Sequence, residues 1–142
     1  MMNIYQEELM DHYRYPRNTA KLDRVDFSAG DDNPSCGDRI FVEGCMAGDK
    51  IAGVRFEGTG CILSLATCSM LTDLIKGKSL DYGLGLSAKE VLNLVGIELG
   101  PTRLRCALLS LEVIHRGLET YRNSKRSAYT GQQAQSSKEL AC

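Results

Sequence analysis

The chain has no surplus of charge of either sign. Its 17 Lys and Arg stand against 18 Asp and Glu, a net charge of −1 over 142 residues. Bulk electrostatic attraction to nucleic acid or to an anionic membrane is thereby excluded as its main mode of action, since both need concentrated positive charge. Long apolar runs are missing as well. The longest uncharged stretch, residues 58–72, holds fifteen residues, many of them small and polar. That is short of the roughly twenty needed to cross a bilayer. The first twenty residues carry Glu7, Glu8, Asp11, Arg14 and Arg17 and no apolar run, so no secretory signal is expected and the expected location is cytoplasmic. Cysteine is too sparse for a disulfide scaffold, at six in 142 residues, and a reducing compartment is expected to keep these as thiols. Metal or sulfur chemistry is then the first use to consider.

What is present is an ordinary globular composition, 43% hydrophobic and 25% charged, in a chain sized for a single core. Ile4, Tyr5, Leu9, His12 and Tyr13 recur at helical spacing until Pro16 stops the pattern. β-prone runs follow at Arg39 to Glu43 and Lys50 to Phe56, joined by Ala47-Gly48-Asp49 as a hairpin turn, with an earlier strand around Val25 to Ala29. Three strands covered by a helix make about the smallest sheet that stands. From Ile62 the period returns to 3.6 and lasts to Gly77, with Cys61 at the helix start. Ser87-Ala88-Lys89-Glu90 is a capping box for a short helix ended by Gly96. Gly100-Pro101 opens a last helix with Leu104, Leu108, Leu111, Ile114 and Leu118 on its apolar side, placing Arg105 and Cys106 in its first turns. Residues 123–142, rich in Ser, Gln and Lys, have little to bury. A domain over residues 1–122 and a flexible polar tail over 123–142 are expected.

Three cysteines stand at ends of expected elements. Cys36 lies in a turn-forming run before a strand, and Cys61 and Cys106 lie near helix starts, where a thiolate is favoured. Their spacings of 25 and 45 residues do not form a zinc-finger pattern, so spacing alone leaves a shared site and three scattered buried thiols both open. Cys45, near a strand end, reads as a packing or turn residue. Cys68 follows Cys61 by seven residues, two helical turns, and reads as packing with a possible approach to the same face. Cys142 ends the tail as an incidental thiol. His12 and His115 read as helix packing residues and not as ligands, and Lys76 and Lys78 as a solvated helix end or a docking point for a partner.

The blocks Asp11-His12-Tyr13 with Pro16-Arg17-Asn18, Asn33-Pro34-Ser35-Cys36-Gly37-Asp38, Phe56-Glu57-Gly58-Thr59-Gly60-Cys61, Lys76-Gly77-Lys78 and Arg105-Cys106-Ala107 occur in this order. With them the chain resembles the U-type iron–sulfur cluster scaffold family, which includes IscU, SufU and the N-terminal domain of NifU. The resemblance covers roughly residues 3–121. It implies an α+β fold, a small three-stranded antiparallel sheet with helices packed on one side, in agreement with the element reading. It also implies that Cys36, Cys61 and Cys106 converge with Asp38 as ligands of Zn²⁺ or of a transient [2Fe-2S] cluster. Soft thiolates suit either cargo, and a hard carboxylate makes a fourth ligand that exchanges more easily.

Two branches of the family remain open. Arg105 stands where the IscU branch has a histidine, and it offers a metal no lone pair. It is expected either to offset the crowded anions or to pair with Asp38 when metal leaves. Arg105 and the run through Arg39 look like the SufU branch, but residues 80–102 are too few for that branch's extra segment. The Leu-Pro-Pro-Val-Lys run by which IscU engages an Hsp70-type chaperone is replaced by Leu99-Gly100-Pro101-Thr102-Arg103, so that partner is not expected. The resemblance implies a cysteine desulfurase and recipient iron–sulfur apoproteins as partners. The leading expectation is an assembly scaffold with Cys106 as first sulfur acceptor. Its rivals are a zinc-dependent sulfurtransferase and a zinc-stabilised interaction module.

Overall fold

The computed structural model of the chain describes residues 3–33 and 37–129, with side chains through 125. In chain order the elements are α1 (Ile4–Arg14), β1 (Phe27–Asn33), β2 (Asp38–Ala47), β3 (Lys50–Thr59), α2 (Ile62–Ile75), α3 (Leu80–Gly85), α4 (Ala88–Val95) and α5 (Pro101–Tyr129). The strands form one antiparallel sheet in the order β1-β2-β3, the α+β arrangement expected. Ala47 pairs with Lys50 across a two-residue turn, where Gly48 takes a φ of 65° that a Cβ would oppose.

Alternation along β2 decides what faces the helices. Asp38, Ile40 and Val42 are buried while Arg39 is exposed and Phe41 and Glu43 are half-buried. One phase of the strand therefore carries the Asp38 carboxylate to the covered face with the core residues. Ile40, Val42 and Phe56 pack there with Leu71 and Ile75 of α2 and with Ile114 and Leu118 of α5. A second apolar cluster joins Leu9 of α1, Leu63 and Met70 of α2, Val95 of α4 and Cys106 of α5. Lying between these layers, α2 is buried on most sides. Three of its hydroxyls are matched to different neighbours, Ser64 to Asp38, Ser69 to His12 and Thr72 to Asn18, which offsets the cost of burying them.

The structure departs from the sequence reading at three places. β1 runs from Phe27 to Asn33 and not from Val25 to Ala29, because Phe27 through Asn33 pair residue by residue with Gly44 back through Asp38. That ladder overrides the weak strand propensity of Gly30-Asp31-Asp32-Asn33. The six-residue α3, capped by the Ser79 side chain, was not expected. The helix α5 continues to Tyr129, beyond the expected domain end at residue 122, since extending an existing helix costs far less than starting one. Residues 130–142 lie outside the described part. No helix among the described residues is long and apolar enough to cross a membrane.

Candidate metal centre

Three elements bring ligand-type atoms to one place. Asp38 opens β2 on the covered face and is fully buried. Cys61 is the N-cap of α2, at an exposed position with its sulfur part-buried against Asp38 and Ser64. Cys106, in the second turn of α5, is 2% exposed. The two sulfurs and a carboxylate oxygen all lie within 4.8 Å of one another. Two sulfurs bound tetrahedrally at about 2.3 Å to one zinc ion stand about 3.8 Å apart, so a small closure lets these groups share an ion. The donor set fits a thiophilic metal with one hard ligand.

Local chemistry explains the convergence. β3 ends at Thr59, and Gly60, at a φ of 148°, turns the chain into α2. A Cβ at position 60 would run into the Asp38 carboxylate. Cys61 makes no capping hydrogen bond with its own side chain, and Asp38 does that work from the neighbouring strand. The Cys61 N–H donates to Asp38 Oδ1 at 2.9 Å, and the Ser64 hydroxyl donates to Oδ2 at 2.5 Å. The carboxylate thus sits at the positive end of the helix dipole. The Cys61 thiol lies 3.9 Å from Oδ2 and 3.6 Å from Ser64 Oγ. An apolar groove of about 500 Å³, lined by Leu9, Tyr13, Ile62 and Leu99, opens beside Cys61.

Of the expected site residues, Asp38, Cys61 and Cys106 come together and Cys36 lies outside the described residues, as does the tail thiol Cys142. Arg105 does not join the cluster. It is exposed, lines a cleft with Asn33 and Thr102, and forms no ion pair among the described residues. The Asp38 carboxylate, which Arg105 was expected to offset or to pair with, accepts from the Cys61 N–H and the Ser64 hydroxyl. The premise that a helix start favours the Cys106 thiolate also changes. Cys106 lies beyond the first turn, where the field of the helix end acts, and the cysteine at a helix N-terminus is Cys61.

The remaining residues fall outside the cluster. Cys68 packs in the main core, where burial pushes its thiol up to about 12. Cys45 is buried in β2 and held in a disulfide, an exception to the expectation of free thiols. His12 bonds Ser69 Oγ through Nδ1 at 2.7 Å, and His115 is half-buried on α5. Lys78 lies over the Tyr82 ring at 5.1 Å. Ser64 is the site residue that the sequence reading missed. No pattern in the sequence marks it, since it is one of several small polar residues of α2.

Residues 4–128 match the model of the NifU-like N-terminal domain family. The chain belongs to that family. Among relatives of this NifU-like chain, the zinc-dependent sulfurtransferase SufU of Bacillus subtilis is 35% identical over 135 residues, covering 81% of this chain and 89% of its own. The iron–sulfur cluster assembly scaffold protein IscU of Aquifex aeolicus is 34% identical over 119 residues, covering 82% of this chain and 75% of its own. The crystal structure of the SUF-system scaffold protein of Fervidobacterium islandicum aligns with a TM-score of 0.70 at 25% identity, over 79% of this chain and 94% of that one. Both branches match at nearly equal identity, which parallels the mixed signals of Arg105 and the short 80–102 segment.

Proposed function

We propose that the chain is an assembly scaffold on which sulfur from a cysteine desulfurase persulfide and iron are joined into a transient [2Fe-2S] cluster, which passes to recipient apoproteins in the cytoplasm. The observation that carries this reading is a buried carboxylate gathered with two thiols at the start of α2. Purely structural zinc sites usually use Cys and His alone, whereas a hard ligand among soft ones suits a site that must let its cargo go. In this reading Cys36, two positions before Asp38 in the chain, completes the ligand set with Cys61 and Cys106, and Asp38 is the exchangeable member. Zinc bound there would balance the thiolate charge and order the site.

Of the two described thiols in the cluster, Cys61 is the more exposed, and an incoming persulfide reaches it before Cys106. The Cys61 sulfur attacks the terminal sulfur of the persulfide, the S–S bond breaks, and the desulfurase thiolate leaves. Reduction of that sulfur to sulfide takes two electrons from an external reductant. Cys106, the acceptor expected from sequence, is the alternative, and desulfurase turnover with Cys61→Ala and Cys106→Ala separates the two.

A second reading, a zinc-dependent sulfurtransferase, is favoured by Arg105 standing where the IscU branch has a ligating histidine. Protein purified without oxygen should be analysed for metal and by visible absorption, before and after adding a desulfurase, cysteine and Fe²⁺. A chromophore that then moves to an apo-ferredoxin is the expected result. Retained zinc and faster desulfurase turnover with no chromophore would overturn the scaffold reading in favour of the transferase.

A further inference from the structure

Resting on the reading of this cluster as a metal site, we propose that Ser64 is a positioning residue that sets how readily Asp38 leaves the metal. It does so by offering the departing carboxylate a hydrogen bond. Three features carry the proposal. Asp38 is fully buried, so a carboxylate oxygen released from an ion has no water to turn to and depends on donors built into the protein. The Ser64 hydroxyl, itself fully buried, supplies one of these at 2.5 Å from Oδ2, whereas the Cys61 thiol lies 3.9 Å from the same oxygen. The hydroxyl also has other places to turn. The Cys106 carbonyl is 3.5 Å away and the Cys61 sulfur 3.6 Å away.

Exchange is then a swap of partners about one oxygen. When Oδ2 binds the ion, the Ser64 proton swings to the Cys106 carbonyl or the Cys61 sulfur. When Oδ2 leaves, the proton swings back. Oδ1 can keep the Cys61 N–H throughout, so the cap of α2 survives in both arrangements. The two states gain unequally from the hydroxyl, because the metal-free state holds it by a short bond to a charged oxygen and the bound state by longer contacts. Removing the hydroxyl therefore destabilises the metal-free arrangement more than the bound one.

The test uses Co²⁺ as a visible probe on the full chain, with release into excess EDTA followed by stopped-flow absorbance. Ser64→Ala should hold Co²⁺ more tightly and release it roughly tenfold more slowly, the size expected for one lost hydrogen bond to a charged group. Ser64→Thr, which keeps the hydroxyl, should release it at the wild-type rate. In an Asp38→Ala background, Ser64→Ala should change nothing. A purely structural serine would give the opposite sign, with looser binding and faster release in Ser64→Ala. That outcome, or equal rates, overturns the proposal and leaves the metal-site reading intact. Failure of the wild type to bind Co²⁺ or Zn²⁺ overturns both. If Ser64→Ala does not fold, NMR of the wild type decides. The Ser64 hydroxyl proton should exchange slowly in metal-free protein and shift on adding Zn²⁺, and a resonance unmoved by a stoichiometric ion overturns the proposal.

Discussion

What Gly60 omits matters as much as what the ligands supply. With φ at 148° and the Asp38 carboxylate in the space a side chain would fill, Gly60→Ala must shift either the turn or the carboxylate. It should cost about 1–3 kcal/mol, as strained backbone positions do, and lower bound zinc, read by urea unfolding and metal analysis together. The cysteines divide in the same assay. Cys36→Ala, Cys61→Ala and Cys106→Ala should each reduce bound metal strongly. Cys68→Ala, deep in the main core, should keep wild-type metal and lose about 1 kcal/mol of stability. Wild-type metal content in all three ligand variants would sink the shared site. At this scale the sequence was legible where chemistry was concentrated in short blocks, as around Cys61 and Asp38. It was silent on Ser64, because one serine among the small polar residues of α2 makes no pattern. Arg105 stands apart from the cluster for a geometric reason. Neighbouring residues on a helix point about 100° apart, so a Cys106 that faces inward leaves Arg105 facing solvent.

Between elements, the contact of α1 with α2 carries a pH dependence. His12 is buried against Ser69, whose hydroxyl also accepts the Arg17 N–H. Burial, then the charge of Arg17, pushes the His12 pKa below its ordinary value, against weaker opposition from Glu8, Asp73 and Asp11. A histidine held neutral in the folded chain takes up a proton on unfolding. Its contribution to stability is therefore complete above about pH 6.5 and declines as the pH falls below that toward the folded value. Urea unfolding at several pH values from 5 to 8 should show this acid-side loss in the wild type and a smaller one in His12→Gln, whereas parallel curves would contradict it. Which elements could be read from sequence follows from where their signals lie. The capping box of Ser87 and Glu90 and the turn at Gly48 are local, and both stand where expected. The far half of β1 depends on its ladder with β2, and α3 carries Gly83 and Gly85 within six residues, so neither had a local pattern to find.

Across the whole molecule, the candidate ligands tie together parts that the unfolded chain keeps far apart. Asp38 begins the central strand, Cys61 joins β3 to α2, and Cys106 belongs to α5. The main core between sheet and helices contains none of these three residues, so the chain should fold without metal, unlike domains whose only stabilising centre is zinc. Binding should nevertheless raise stability, because an ion that prefers the folded arrangement stabilises it by mass action, by about 2.7 kcal/mol at a free concentration of 100 Kd. For a chain of this size that corresponds to a rise in Tm of roughly 10 °C, less whatever the unfolded cysteines bind. Thermal unfolding of metal-stripped protein should therefore be cooperative, move upward with Zn²⁺ and return with EDTA. Cys61→Ala should unfold cooperatively as well but show little of the shift. A metal-stripped chain with no cooperative transition would mean that the core does not stand alone. A Zn²⁺ shift of full size in Cys61→Ala would mean that the ion binds somewhere other than the junction of β2, α2 and α5.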